Sequence, residues 1–292
     1  MEYNQGSVQH IDTDIVVIYH GKCMDGFTGA WIAYKKFGNT ATYIGTEDRT
    51  VPPAGLVDKE IYIIDYSYPK EVLLDLESKN KKLVILDHHV SAKEYITSVK
   101  EYVYDVGHSG AYIAWNYFFK NEPTPKFVLY VEDGDLYRFK LPFSKSILSY
   151  VYMQELAFER FDLFQQEFEN EDSFTMLNTY GQILLDAHMR EVNYFVDRAE
   201  KVLFEGYEIY ACNATKKVAS DLGHILAEKT NTCALIYYYD DGKMKCSLRS
   251  VGDFDVSLLA AKYGGGGHKN ASGFAIGMAS HPLPCVTPLL DK

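Results

Sequence analysis

The sequence predicts an α/β protein in three parts. These are an N-terminal domain on a doubly wound, mainly parallel sheet (1–145), a helical connector (146–200), and a smaller C-terminal α/β domain with a Gly-rich loop (201–292). Three observations lead there. Over the first half, short apolar runs alternate with helix-length amphipathic stretches, as βαβ units require. Three of those runs end in side chains able to bind metal: Asp14 to Tyr19 leads to His20, Ile61 to Ile64 to Asp65, and Leu83 to Leu86 to Asp87-His88-His89. Beyond residue 202 the strands are closely spaced, with a turn signal at Asp241-Gly242 and four consecutive glycines at 264–267.

The first strand is expected at about 13–20. Gly26 to Trp31 then opens a helix that runs to Phe37, and its small first-turn residues permit close approach to a sheet edge or a ligand. A short strand near Ala41–Gly45 and a polar loop with Pro52-Pro53 lead to the strand at 61–64. Pro69 and Glu71 mark the next helix start, and Val72, Leu73 and Leu76 form its apolar stripe. The run at 83–86 is apolar throughout, which reads as burial on both faces. After Tyr102 to Asp105, Ser109-Gly110 opens a helix of about ten residues. That Ser-Gly step reads equally as an anion site or an N-cap. The run Lys126 to Val131 ends at Glu132-Asp133-Gly134-Asp135, an acidic pattern that ordinarily makes a solvated turn.

Residues 145–200 read as helices, with Phe158, Phe161, Phe164 and Phe168 as a core stripe. The C-terminal part has strands at 202–204, 207–212, 234–239 and 243–249, and helices over 217–229 and 253–262, the latter capped by Asp253. Asp241-Gly242 is a strong hairpin signal. The tail from Ala279, with three prolines, is expected to be poorly ordered or to hug the surface.

An apolar content of 47% supports real cores, and 292 residues suffice for two domains. The net charge of −11 argues against long duplex DNA as a partner, because that needs a broad basic surface. Five cysteines with no CxxC pairing suit a reducing compartment. No signal-peptide pattern and no apolar run of membrane-spanning length are visible, so a cytoplasmic protein without a membrane partner is expected. A homodimer is allowed.

If the three N-terminal strands are parallel, His20, Asp25, Asp65, Asp87, His88 and His89 share one sheet edge. Ligands bind outside the carboxyl ends of such strands. Carboxylates and imidazoles gathered without a basic cluster repel one another, and divalent cations remove that cost. The second informative stretch is Gly264 to His268. Bare backbone there can close on an anion, and His268 can add a charge-assisted donor. Arg249-Ser250, at the end of a hairpin strand, is a second candidate phosphate contact.

Asp87-His88-His89 after a buried strand, and Gly265-Gly266-Gly267-His268 followed by Ala271-Ser272-Gly273, resemble the DHH phosphoesterase superfamily with its DHH-associated C-terminal domain. The resemblance covers about 13–139 and 202–277, in the branch that includes oligoribonucleases, phosphoadenosine phosphatases and cyclic-dinucleotide phosphodiesterases. It implies two divalent ions, usually manganese. His20 and Asp25 come from the first motif, Asp65 bridges the ions, and His88 is a ligand oriented by Asp87. The acid of the fourth motif maps best onto Asp133, with Asp135 its rival. His89 faces the substrate phosphate. Ser109, Arg249, Ser250, Gly265, Gly266, Gly267 and His268 are the expected substrate-binding residues.

One departure stands out. The family's first motif carries His and then Asp four and six residues later, where this chain has Met24 and Gly26. A one-residue shift equates Cys23 with the first Asp and Asp25 with the second. Cys23 is then either a softer ligand, favouring zinc or iron, or a small packed thiol.

The expected activity is hydrolysis of short single-stranded oligonucleotides to nucleoside monophosphates by a two-metal-activated hydroxide, with the C-terminal domain closing over the cleft to hold a remote phosphate. Within enzymes the alternatives are a cyclic-dinucleotide phosphodiesterase and a phosphoadenosine-phosphate phosphatase. Outside enzymes the alternative is a nucleotide-binding sensor with a degenerate metal site.

Overall fold

The three apolar runs become adjacent parallel strands because each alternates between two buried faces. In a computed structural model that describes residues 11–277 and 286–288, Val17, Tyr62, Ile64, Val84 and Leu86 fill one core cluster. Val16, Ile18, Ile61, Ile63, Leu83 and Ile85 fill another. The strands are β1 (Ile15–His20), β2 (Ala41–Thr46), β3 (Glu60–Ile64), β4 (Lys82–Asp87) and β5 (Glu101–Tyr104). They form one sheet in the order β2-β1-β3-β4-β5, every pair parallel. Helices between them are α1 (Met24–Phe37), α2 (Lys70–Lys79) and α3 (Lys93–Ile96), followed by α4 (Gly110–Phe118) and α5 (Lys126–Asp135).

Trp31 of α1, Ala111 of α4 and Phe127 of α5 share the first cluster, whereas Leu73 and Leu76 of α2 and Ile96 of α3 share the second. Helices therefore cover both faces, as a doubly wound sheet requires. The strand order reverses at β1, and this places the C-terminal ends of β1, β3 and β4 side by side.

Three more helices follow: α6 (Ser144–Val151), α7 (Phe158–Glu169) and α8 (Glu171–Val196). The aromatic stripe of α7 is core. Phe161, Phe164 and Phe168 are fully buried in the first cluster, with ring centroids 5.1–5.3 Å from that of Phe127. Each such ring contributes about 2–3 kcal/mol by leaving water. The expected connector is therefore not a separate part. The chain divides into two compact units at 184/185, inside α8, and α6 and α7 belong to the first.

The second unit contains β6 (Glu200–Phe204), β7 (Tyr207–Asn213), α9 (Ala219–Thr230), β8 (Cys233–Asp240), β9 (Lys243–Ser250), α10 (Val256–Ala261), β10 (Gly266–His268), β11 (Ala271–Gly277) and β12 (Val286–Pro288). Its sheet runs β10-β11-β9-β8-β7-β6-β12, with β7 and β8 parallel and the other pairs antiparallel. Leu222 and Leu226 of α9 pack on one face and Leu259 of α10 on the other.

The β8–β9 hairpin turns at Asp241 and Gly242, both at positive φ (47° and 70°), as a two-residue type I′ turn demands. The α10 cap is Asp255, which accepts from Ser257 N at 2.9 Å, and not Asp253. The expected disorder of the tail falls mostly outside the described residues. Among the described residues, no helix is long and apolar enough to cross a membrane.

Candidate metal centre and active site

The C-terminal ends of β1, β3 and β4 and the residues just after them bring seven side chains together, His20, Cys23, Asp25, Asp65, Asp87, His88 and His89, and Asp135 of α5 joins them. Asp65 stands at the centre. It is 1% exposed and has a positive φ of 55°. Its Oδ2 lies 3.4 Å from His20 Nδ1, and its Oδ1 lies 3.2 Å from His88 Nε2 and 3.6 Å from His89 Nδ1. Three overlapping groups result: Asp65 with Asp87, His88 and His89; His20 with Cys23 and Asp65; and Asp25 with His88 and Asp135. Within each group the donor atoms lie within 4.8 Å of one another.

The residues fit divalent cations. His20 Nδ1, Asp65 Oδ2 and Asp87 Oδ2 are buried with no hydrogen-bond partner, an arrangement that costs free energy unless a cation satisfies it. Oxygen and imidazole donors suit manganese, and the Cys23 thiol beside His20 and Asp65 adds one softer donor. A cavity of about 400 Å³ opens beside these groups, lined in part by Lys22, Cys23, Asp25, Val131 and Asp135.

Asp25 sits at the N-terminus of α4. Gly110 N–H donates to its Oδ2 at 2.7 Å and Ala111 N–H to its Oδ1 at 3.1 Å. This corrects the expectation for Ser109. That residue is fully buried and its hydroxyl accepts from Tyr112 N–H, so it caps α4. The anion held at this helix end is the protein's own carboxylate. Gly110 makes the approach possible, because a Cβ there would stand 2.5 Å from Asp65 Cβ and 2.9 Å from Asp25 Oδ2.

Asp87 holds a different neighbour from the one expected. Its Oδ1 accepts from His89 Nδ1 at 2.7 Å and from the main-chain N–H groups of His88 and His89. It therefore orients the His89 ring and only the backbone of His88.

Asp133 is also corrected. The 132–135 stretch is the last turn of α5 and not a solvated loop, with Glu132 and Asp133 buried. The chain then doubles back, so Asp133 accepts from Lys140 N–H at 2.9 Å and Leu141 N–H at 3.1 Å. Asp135 reaches the cluster instead, 3.6 Å from His88 Nε2. Val131 and Asp135 are four residues apart and line the same cavity, so carrying the helical period through 135 would have selected the acid that faces the cluster.

Without cations the cluster shares protons. Burial and the charge of Asp65 push the Asp25 carboxyl up to about 7. Burial, then Asp25 and Asp65, raise Asp135 as well. Burial opposes the charge of Asp65, but the close imidazoles of His20, His88 and His89 outweigh it and hold that carboxyl well below the usual range. Burial likewise opposes the His88 imidazolium, yet Asp65 and Asp135 bring its pKa up to about 10. Burial first, then the three nearby carboxylates, raises the Cys23 thiol.

The DHHA1 domain family matches residues 200–280. Residues 200–280 are therefore a DHHA1 domain, and it follows Asp87-His88-His89 at the end of a buried parallel strand, as in the DHH phosphoesterases that the chain resembles. An uncharacterized protein of Acanthamoeba polyphaga mimivirus is 28% identical over 315 aligned positions, covering 96% of this chain and 72% of that one. The oligoribonuclease NrnB of Bacillus subtilis is 25% identical over 214 positions, covering 67% and 53%. RecJ of Thermus thermophilus, solved in complex with Mn2+, shares the fold with a TM-score of 0.52 at 13% identity, over 91% of this chain and 50% of RecJ.

In the DHHA1 unit, half of the Gly-rich stretch is strand and not loop. Gly266 to His268 form β10, paired with β11 through Gly266↔Gly273 and His268↔Ala271. Close packing explains two of the glycines. A Cβ on Gly265 would meet Gly273 O at 2.1 Å, and one on Gly267 would meet Ala271 O at 2.5 Å. Gly266 has open space on its Cβ side. Two other expected substrate contacts are committed within the unit. Ser250 donates to Phe254 O at 2.6 Å and accepts from Asn270 Nδ2. Arg249 donates to Leu248 O and to Ser220 Oγ.

The two aspartates of α5 should separate by substitution. Asp135→Asn is expected to lower activity at least a hundredfold with the melting temperature held. Asp133→Asn should lower stability by about 1.5–3 kcal/mol, because two backbone donors lose a charged acceptor, while much of the specific activity remains. Melting curves and initial rates on the purified variants test the pair, and the reverse pattern would return the metal role to Asp133.

Proposed function

We propose that this protein is a metal-dependent phosphodiesterase that hydrolyses short oligonucleotides to nucleoside monophosphates, using two divalent ions, with manganese preferred. The observation that carries this reading is Asp65, one buried carboxylate shared between two groups of potential ligands at the carboxyl edge of a parallel sheet. The similarity to an oligoribonuclease supports the substrate class. In this reading His20, Cys23 and Asp65 would hold one ion, and Asp25, Asp65, His88 and Asp135 would hold the other. When bound, such ions lower the pKa of a water nucleophile and take up charge from phosphate oxygens.

The protein's own groups do the rest. Asp87 fixes the His89 ring, and although burial opposes it, that carboxylate favours the imidazolium. His89 is thereby suited to donate to a non-bridging phosphate oxygen as charge develops there. The amides of Gly110 and Ala111 keep Asp25 in place. In the DHHA1 unit, Gly266 and His268 are the proposed contacts to nucleotide phosphate. The open Cβ side of Gly266 supports close backbone approach.

Activity should vanish in excess chelator and return best with Mn2+. Full activity retained in chelator would end this reading. Ion uptake should release protons and tighten as pH rises. The sign follows from the raised pKa values: Asp25, Asp135 and His88 carry protons that the ion must displace, and for Asp25 that competition fades above about pH 7. Calorimetric titration of Mn2+ in buffers of different ionisation enthalpy reads the proton count directly. Turnover of a dinucleotide, a cyclic dinucleotide and a phosphoadenosine phosphate with Mn2+ present ranks the substrates.

A further inference from the structure

We propose that Arg49 binds a phosphate oxygen of the substrate at the His20 side of the centre, as a specificity-determining residue; this rests on the phosphodiesterase reading above. The sheet register puts Arg49 there. His20 pairs directly with Thr46, the last residue of β2, and Gly21 N–H donates to Thr46 O at 2.8 Å. Three residues later the chain has not left the edge, because Asp48 Oδ1 accepts from the N–H groups of Thr50 and Val51 and closes a tight turn around Arg49.

Within that turn the Arg49 guanidinium lies over the ring of Tyr66, its Cζ 5.3 Å from the centroid. The Tyr66 ring is fully buried, follows Asp65 in the chain, and lies 6.2 Å from the His20 ring. Lys22 and Arg138, two other cations near this edge, already have partners in Glu47 and Glu132. Among the described residues, Arg49 has no hydrogen bond and no ion pair. A guanidinium placed on an aromatic face keeps its edge of N–H donors available, which is the geometry that recognises phosphate bidentately. Its positive charge also lies over the ring that neighbours His20, on the side of a carboxylate-rich centre where an incoming phosphodiester anion needs a cation.

The test compares Arg49→Gln and Arg49→Lys with the metal-loaded wild type in two measurements: KM for a dinucleotide, and the Kd of a nucleoside 5′-monophosphate by calorimetry. Arg49→Gln should weaken both by about ten- to a hundredfold, the loss expected for one charge-assisted contact. Arg49→Lys should recover only part of it, since an ammonium lacks the planar fork. Bound-metal content and melting temperature should not move. Wild-type KM and Kd in Arg49→Gln would overturn the assignment. A wild type that binds the monophosphate through Arg49 but turns over no phosphodiester would instead refute the proposed activity and leave the contact standing.

Discussion

Asp65→Asn is expected to reduce hydrolysis by at least a thousandfold and to empty both ion positions together. Asn keeps the shape of the side chain but loses the charge that sits between His20, His88 and His89. Among the described residues, no other belongs to both the His20–Cys23 group and the group that holds Asp87, His88 and His89. Losing the shared ligand therefore removes a donor from each position and leaves the imidazoles without the anion that makes them good partners. Metal analysis of the purified variant should fall toward zero ions per chain. Retention of one ion at wild-type affinity would show that Asp65 serves a single position. Asp25→Asn, by contrast, should affect chiefly the ion near His88 and Asp135.

The second large effect is expected from a residue with no side chain. Gly110→Ala places a methyl group 2.5 Å from Asp65 Cβ, 2.9 Å from Asp65 Cα and 2.9 Å from Asp25 Oδ2. Backbone cannot yield that distance cheaply, so the first turn of α4 must move and loosen its hold on Asp25. Overpacking of this kind costs about 1–3 kcal/mol. The larger consequence is a displaced pair of ligands, and activity should fall at least a hundredfold. Gly107→Ala is the internal control. It lies in the same loop, and its added methyl would meet only Asp105 Oδ1, at 3.1 Å. It should keep activity within about twofold, whereas equal damage from both variants would mean that the loop as a whole is intolerant and that the Gly110 contact has no special role.

Much of the first unit was legible because its signals are local. A run such as Leu83 to Leu86 has one comfortable environment, the middle of a covered parallel sheet, and the residues after it must emerge at the carboxyl edge. His20, Asp65 and His88 followed from that reasoning alone. The choice between Asp133 and Asp135 needed the helical period carried through 135, where Asp135 falls on the face of Val131. What Asp133 binds was not legible, because it depends on the path of residues 136–141, which bring two amides back to it, and no period in the sequence encodes that return. Ser109 was ambiguous for a related reason, since a helix N-terminus attracts an external anion and a carboxylate from elsewhere in the chain equally well. Asp25 is 84 residues before Ser109 in the sequence, and only the contact of α1 with α4 joins them. The glycines at 264–267 read as a loop whose bare backbone closes on an anion. Gly265 and Gly267 instead serve the tight fit of β10 against β11.

The positive φ of Asp65 restricts how lineages of this protein can drift. At φ 55° the backbone tolerates Gly, Asn and Asp far better than other residues. The proposed ion chemistry accepts a carboxylate, so Asp or Glu. Only Asp satisfies both filters, and no silent intermediate exists for selection to pass through. Relatives that keep the reaction should therefore hold Asp here even where surrounding strands have diverged. Relatives that have abandoned it should be recognisable by Asn or Gly at this one position, the replacements that surrender the charge while leaving the turn undisturbed.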